Sequence, residues 1–346
     1  MKNIIVTGAN GQVGIELCLF LNLYEDLNVI GICRSELSAI VLKKFGIKYR
    51  VGDISVLENA KTLLSDADVI VDLVIADGSI NETNKISKNQ IYNSIASSKT
   101  NAKYVYMSSQ MVFGMNNENK KLKYHIIPKT IYAVKKRFAE KMVLNFGKKF
   151  IRNTYIIRLG QVHGILQSVS ISMNKVFTNE DFIFKVPKTN SYTIFCYSIS
   201  EAIYNIANDK EKPGIYTGVS FPEWSWKEIF QYFSKEELRI VEEKIYKKNT
   251  FKYILNFIKI FLNNHKELIQ ANYLKYFPKL EKRLKFNNSA SIAKNQINQY
   301  NNRFYNKFDF FIGILPGKRL TSLTDSRITM KPKNTILLGK INKLFN

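Results

Sequence analysis

Three glycines, Gly8, Gly11 and Gly14, stand between an apolar, β-branched run that ends at Thr7 and a helical pattern that begins at Gln12. The segment reads Thr7-Gly8-Ala9-Asn10-Gly11-Gln12-Val13-Gly14. A first glycine permits a tight turn, a second lets backbone approach a pyrophosphate, and a third lets the helix pack closely on its strand. The N–H groups at the helix start then face the phosphates. Three glycines alone are a weak signal, but between a strand and a helix they constrain the chain to a nucleotide-binding α/β domain that holds NAD(P) on this loop.

The following residues carry the pattern forward. β-like runs at 3–7, 28–33, 48–51, 68–74, 103–108 and 153–158 alternate with helical patterns at 12–22, 36–45, 56–65, 84–98 and 130–146. Alternation at this spacing predicts a Rossmann-type, doubly wound parallel sheet with right-handed crossovers. Past Arg158 the pattern loosens. Residues 192–208 read as a strand and then a helix, 214–218 as a short strand and 226–233 as a helix. The expected organisation is a dinucleotide-binding domain over 1–160, an interleaved substrate-binding part over 161–236, and a basic, largely helical extension over 237–346. Helix is expected from about 237 to 285, and a polar loop or lid over 286–302.

The end of the second strand bears on the cofactor. An acid there would bind the ribose 2′-hydroxyl of NAD, but this chain has Arg34 followed by Ser35. A cation suits a 2′-phosphate, so NADP is the expected cofactor, with NAD the alternative. Asp53 and Ile54, after the third strand, and Val74, after the fourth, are expected along the cofactor.

Tyr132 and Lys136 are four residues apart at the start of a predicted helix, so they share one face. A nearby ammonium lowers the pKa of a phenol and makes it a usable proton donor and acceptor. Lys135 points elsewhere. Ser109 ends the fifth strand, 23 residues before Tyr132, and ligands of such sheets bind outside the carboxyl ends of strands. A hydroxyl, a phenol and an amine are thus expected to converge beside the nicotinamide. The three cysteines, Cys18, Cys33 and Cys196, lie in apolar segments and read as reduced core residues rather than a disulfide or metal framework.

In order along residues 1–235, the glycine loop, Ser109-x-x-Val-Phe-Gly114, Tyr132 and Lys136 followed by Ala139-Glu140, Arg158-Leu-Gly-Gln-Val-His-Gly164, Tyr197-x-x-x-x-Ala202-Ile203 and Gly214-Ile-Tyr216 resemble the extended short-chain dehydrogenase/reductase family of the NAD-dependent epimerase/dehydratase type. The glycine loop and the Ser109 segment look most like the dTDP-4-dehydrorhamnose reductases. The resemblance implies that Tyr132 is the acid/base, that Lys136 binds the nicotinamide ribose and tunes Tyr132, and that Ser109 bonds the reacting oxygen. It places Thr7, Gly8, Asn10, Gly11, Gln12, Val13, Gly14, Arg34, Asp53, Ile54 and Val74 at the cofactor and Gln110, Gln161 and His163 towards the substrate. His163 stands where Tyr is usual and reads as a structural histidine rather than a base. Gln110 and Met111 occupy the positions at which the family's dehydratases carry an Asp–Glu pair; neither can transfer that proton, so a dehydratase is not expected. The fourth strand ends in Asp72-Leu73-Val74-Ile75, where relatives usually carry small residues beside the cofactor. The implied activity is reduction of a nucleotide-linked 4-keto sugar for polysaccharide or glycan synthesis. The alternatives are a 4-epimerase with tightly held NAD, and a redox-silent NAD(P)-binding regulator or scaffold; the intact Tyr/Lys pair argues against the last.

Charge is divided unevenly. The chain carries +24 overall, and residues 244–346 hold 21 Lys and Arg against four acids. Within 250–269, Phe251, Ile254, Leu255, Ile258, Phe261, Leu262 and Leu268 recur at helical spacing, with Lys252, Lys259 and Lys266 on another face. This cationic amphipathic pattern fits packing on its own subunit or a homodimer partner, or contact of 250–285 with an anionic membrane surface. It lacks a base-stacking or groove-reading motif, so nucleic acid is not expected. With neither a long apolar run nor a secretory leader pattern, the protein is expected in the cytoplasm, at most peripheral to the inner face of the membrane.

Overall fold

Ile4, Ile5 and Val6 are fully buried in the first strand, as a continuous β-branched run requires when helices cover both faces of a sheet. The computed structural model describes residues 1–76, 78–113, 130–177, 183–234 and 239–243, the pairs 304–305 and 318–319, and residue 339. Its elements are β1 (Lys2–Thr7), α1 (Gln12–Leu21), β2 (Leu27–Cys33), α2 (Glu36–Lys44), β3 (Lys48–Val51), α3 (Leu57–Leu64), β4 (Val69–Asp72), α4 (Ile80–Ser97), β5 (Lys103–Ser109), a 3-10 turn (Gln110–Phe113), α5 (Ile131–Lys149), β6 (Asn153–Leu159), β7 (Gln161–His163), α6 (Ser168–Val176), β8 (Ile183–Pro187), β9 (Thr193–Phe195), α7 (Cys196–Ala207), β10 (Gly214–Gly218), α8 (Trp226–Phe233), β11 (Arg239–Glu243), β12 (Phe304–Tyr305) and β13 (Lys318–Arg319).

The chain divides into two units. The first comprises Met1–Ser172, Ser191–Trp224 and Phe311–Asn346. It holds an eight-stranded, all-parallel sheet in the order β13-β10-β6-β5-β4-β1-β2-β3. This is the expected Rossmann-type winding. The order reverses between β1 and β4, whose carboxyl ends open the crevice where such sheets take ligands. One face is sealed by a core that joins Ile5, Ile70, Tyr104, Tyr106 and Ile156 of the strands to Ala139 and Val143 of α5. Helix starts follow local chemistry. Ser35 and Ser79 form reciprocal capping boxes, and Thr130 accepts the Ala133 amide at the start of α5. A small two-stranded sheet, β7 with β9, lies in the same unit.

The second unit comprises Met173–Asn190 and Ser225–Phe310. Its three-stranded sheet has the order β11-β8-β12, all parallel. Phe177, Phe184 and Phe230 meet ring to ring at centroid distances of 4.9, 5.0 and 5.7 Å. Strand β11 corrects the expectation of helix from about 237. The Arg-Ile-Val-Glu-Glu segment pairs with β8 along its whole length, and Lys185 meets Glu243 at 2.6 Å, so tertiary pairing outweighs local propensity. The amphipathic segment 250–269, the expected lid at 286–302 and most of the basic extension lie outside the described residues. Among the described residues no helix is long and apolar enough to cross a membrane, and no cluster of His, Cys, Asp or Glu could hold a metal.

Candidate active site

The glycine loop closes over itself. The Gly11 amide donates to the Gly8 carbonyl at 3.0 Å. Gly8 sits at φ +71°, a conformation L side chains rarely adopt, and a Cβ there would press on the backbone of Leu73 and Val74 at 3.2 Å. A Cβ at Gly14 would lie 2.4 Å from the Gly8 carbonyl oxygen. Gly11 caps α1 without a side-chain acceptor, so the first-turn N–H groups are left for a ligand. These features fit a pyrophosphate. Thr7 is buried, Asn10 and Gln12 are exposed, and Val13 is half-buried. Gln12 is also tied to the 167–168 segment, its carbonyl accepting from Gln167 at 3.1 Å and its Oε1 from Ser168 at 3.2 Å.

Around the loop, Arg34 is exposed directly after β2. Asp53, half-buried after β3, turns back to accept the Ser55 amide at 2.8 Å. Ile54 is buried, and its carbonyl accepts from Asn93 at 3.0 Å. Val74 directs its amide to Asp72 at 2.9 Å.

Ser109 and Tyr132 come together: the Ser109 hydroxyl is near enough to the phenol to pull its titration down, and it accepts the Met111 amide at 3.2 Å. Tyr132 stays 37% exposed in the first turn of α5, open to a reactant. Its phenol titrates above the ordinary value because burial outweighs the neighbouring Ser109 hydroxyl. The Lys136 amine is 3% exposed, donates to the Met107 carbonyl at 2.6 Å and lies 4.7 Å from the centre of the Tyr106 ring. Burial lowers that amine to about 8, while Asp72 and then Glu140 draw it back up.

Gln110 is 2% exposed, and neither its Nε2 nor its Oε1 has a hydrogen-bond partner. Gln161, at the start of β7, has a buried Oε1 in the same state. Unmatched buried amides are costly and ask for a partner. His163 is fully buried; its Nδ1 lies 3.1 Å from the Ser170 hydroxyl, and burial lowers it to about 3. It is therefore a neutral imidazole packed inside the unit, not a base.

Two acids are buried in a way the sequence pattern does not foresee: Glu16 is not singled out by it, and Asp72 reads only as part of a bulky strand end. Glu16 of α1 is 0% exposed and accepts from the Ile165 and Leu166 amides and the Gln167 side chain at 2.8, 3.0 and 2.8 Å. Asp72 is 5% exposed at the end of β4. The available signal was a single charge inside an apolar helix, Gln-Val-Gly-Ile-Glu-Leu-Cys-Leu, and a single charge closing an apolar strand, Val-Ile-Val-Asp.

With this geometry in hand, comparison with known proteins decides the family. Residues 4–179 match the NAD dependent epimerase/dehydratase family. The chain belongs to that family. The spore coat polysaccharide biosynthesis protein SpsK of Bacillus subtilis is 25% identical over 236 residues, 66% of this chain and 77% of SpsK. Among solved structures, the UDP-glucuronic acid 4-epimerase of Bacillus cereus, in complex with UDP-glucuronic acid and NAD, aligns at 17% identity and TM-score 0.52, over 74% of this chain and 93% of that one. A dTDP-4-dehydrorhamnose reductase of Clostridium acetobutylicum aligns at 15% and TM-score 0.51, over 70% and 84%. These structures share the fold. This epimerase/dehydratase-family chain is thus an enzyme of the extended short-chain dehydrogenase/reductase type, and the family is NAD-dependent.

Proposed function

We propose that this protein is an NAD(P)-dependent reductase of a nucleotide-linked 4-keto sugar serving polysaccharide or glycan synthesis. The observation that carries the reading is the convergence of Ser109 and Tyr132 at the carboxyl end of β5, one helical turn from the buried Lys136 amine. Thr7, Gly8, Asn10, Gly11, Gln12, Val13 and Gly14 would hold the dinucleotide, with Asp53, Ile54 and Val74 along it. The bound nicotinamide supplies the hydride. Tyr132 donates its phenolic proton to the carbonyl oxygen of the sugar, and Ser109 holds that oxygen by a hydrogen bond. Lys136 supports the phenol and bonds the cofactor's ribose. The unmatched amide of Gln110, with that of Gln161, would take up hydroxyls of the sugar; with Gln110 and Met111 in place of acids, the chain has no proton-transfer pair there for eliminating water. Arg34 is suited to a 2′-phosphate, and the reading carries NADP as hydride donor, with NAD as the alternative.

The test is net cofactor consumption. Purified protein supplied with a nucleotide 4-keto-6-deoxy sugar should oxidise NADPH or NADH stoichiometrically. A 4-epimerase would interconvert sugars with no net consumption, and that outcome would replace this reading. Titration with NADP and NAD, on wild type and Arg34→Ala, measures the cofactor preference.

A further inference from the structure

The Asp72 carboxylate is surrounded by neutral donors. It accepts the Thr7 hydroxyl at 2.8 Å, the Val74 amide at 2.9 Å and the Tyr104 phenol. In register it pairs with Thr7 of β1 and Tyr106 of β5. Residues paired in register present their side chains to the same face of a sheet, and the Tyr104 bond, from two residues before Tyr106, agrees. That face is the one α5 covers. Lys136 enters the layer from α5, its amine over the Tyr106 ring and bonded to the Met107 carbonyl.

The charged groups acting on this amine are Asp72 of β4 and, on its own helix, Glu140, with the Tyr106 ring of β5 beneath it; Tyr132 acts on Tyr106, Tyr104 of β5 meets Asp72, and Arg158 of β6 meets Glu140. The Glu140 charge is already matched, because Arg158 binds it through two hydrogen bonds of 2.9 and 2.7 Å and Ser108 adds a third. Asp72 has no such cation among its hydrogen-bond donors, and Lys136 has no carboxylate among its acceptors. Both lie beside Tyr106 in one buried layer, Asp72 by strand register and Lys136 over the ring, where a bare ion is costly.

We propose that Asp72 is a positioning residue, the buried counter-charge that holds the Lys136 amine as an ammonium and ties α5 to the strand ends carrying the glycine loop. The inference rests on the reading of Lys136 as the partner of Tyr132. The ammonium is the form that can both donate to a ribose hydroxyl and support the phenol, so the chain keeps that form ready before any ligand arrives. Through Thr7, the same carboxylate fixes the strand end from which Gly8 turns.

The experiment uses full-length protein labelled at lysine Cε with carbon-13, with no substrate present. The Lys136 resonance is assigned by its loss in Lys136→Gln and followed from pH 6 to 10. The expected midpoint is near 8 in the wild type and lower by about one pH unit or more in Asp72→Asn. Tyr104→Phe removes one hydrogen bond and keeps the charge, so its midpoint should stay with the wild type. An unchanged midpoint in Asp72→Asn overturns the proposal. So does a wild-type amine that is neutral at pH 7, a result that holds whether or not the variant folds. The titration needs no turnover: a normal Lys136 midpoint shift in a protein that reduces no 4-keto sugar sinks the functional reading and leaves this one standing.

Discussion

The two sides of the site are built from different materials. The side proposed for the cofactor is backbone: glycines with no Cβ to spare, a helix start with open N–H groups, and Glu16 held by the Ile165 and Leu166 amides. The side proposed to handle the proton is side chain: Ser109, Tyr132 and Lys136 over a buried layer of Asp72, Tyr104, Tyr106, Ser108, Glu140 and Arg158. Both sides bury carboxylates, but Glu16 is answered by peptide and side-chain amides and Glu140 by the Arg158 guanidinium. The lesson is that the first side should be sensitive to volume, the second to charge.

The largest effect should come from the proton side. Tyr132→Phe removes the acid while leaving the glycine cradle whole, so turnover should fall by about 10²–10⁴-fold while the cofactor dissociation constant changes little. Steady-state rates and a cofactor titration check this; a variant at wild-type rate breaks the assignment of Tyr132. Next is Arg158→Met, which strands the Glu140 carboxylate in a dry layer. Removing one partner of such a buried pair costs about 3–5 kcal/mol, read from chemical denaturation at neutral pH. A cost of only a few tenths would mean that the layer admits water.

On the cofactor side, Gly14→Ala should cost about 1–3 kcal/mol through overpacking against the Gly8 carbonyl and weaken dinucleotide binding. The same variant should leave the titration of Lys136 where it was, and a shift there would erase the distinction between the two sides. The smallest effect concerns Glu16. Burial raises its carboxyl above the ordinary value, against the pull of the Gln167, Leu166, Ile165 and Cys196 hydrogen bonds. Its contribution to stability is therefore fully present below the unfolded carboxyl value and is lost as pH rises through the folded one. Relative to Glu16→Gln, the wild type should lose stability between acid and neutral pH. A difference that grows in the opposite direction would show that the loop amides outweigh burial.

Most of the parallel sheet was readable because its strands are buried on both faces and its helices have polar outer faces, so period and capping are written locally. Ser35 and Thr130 start helices within a residue or two of where the pattern starts them, whereas α4 begins at Ile80, four residues before the expected 84, because the Ser79–Glu82 capping box extends it. The short elements were not readable. β7, with three residues, has too little length for a period, and β11 exists because β8 lies beside it. Lys136 shows the same limit at the site. Its spacing from Tyr132 is visible in the chain, but the direction of the phenol's shift is not, because burial is a property of the assembled layer.

What the chain alone determined is the set of features that depend on neighbours in sequence: the glycine loop, the β–α alternation, and the i, i+4 relation of Tyr132 and Lys136. What only the tertiary structure decided is which charges are buried and which opposite charge each one meets. Asp72 and Lys136 are 64 positions apart, and the field each feels depends on how much water the packed helix and sheet exclude between them.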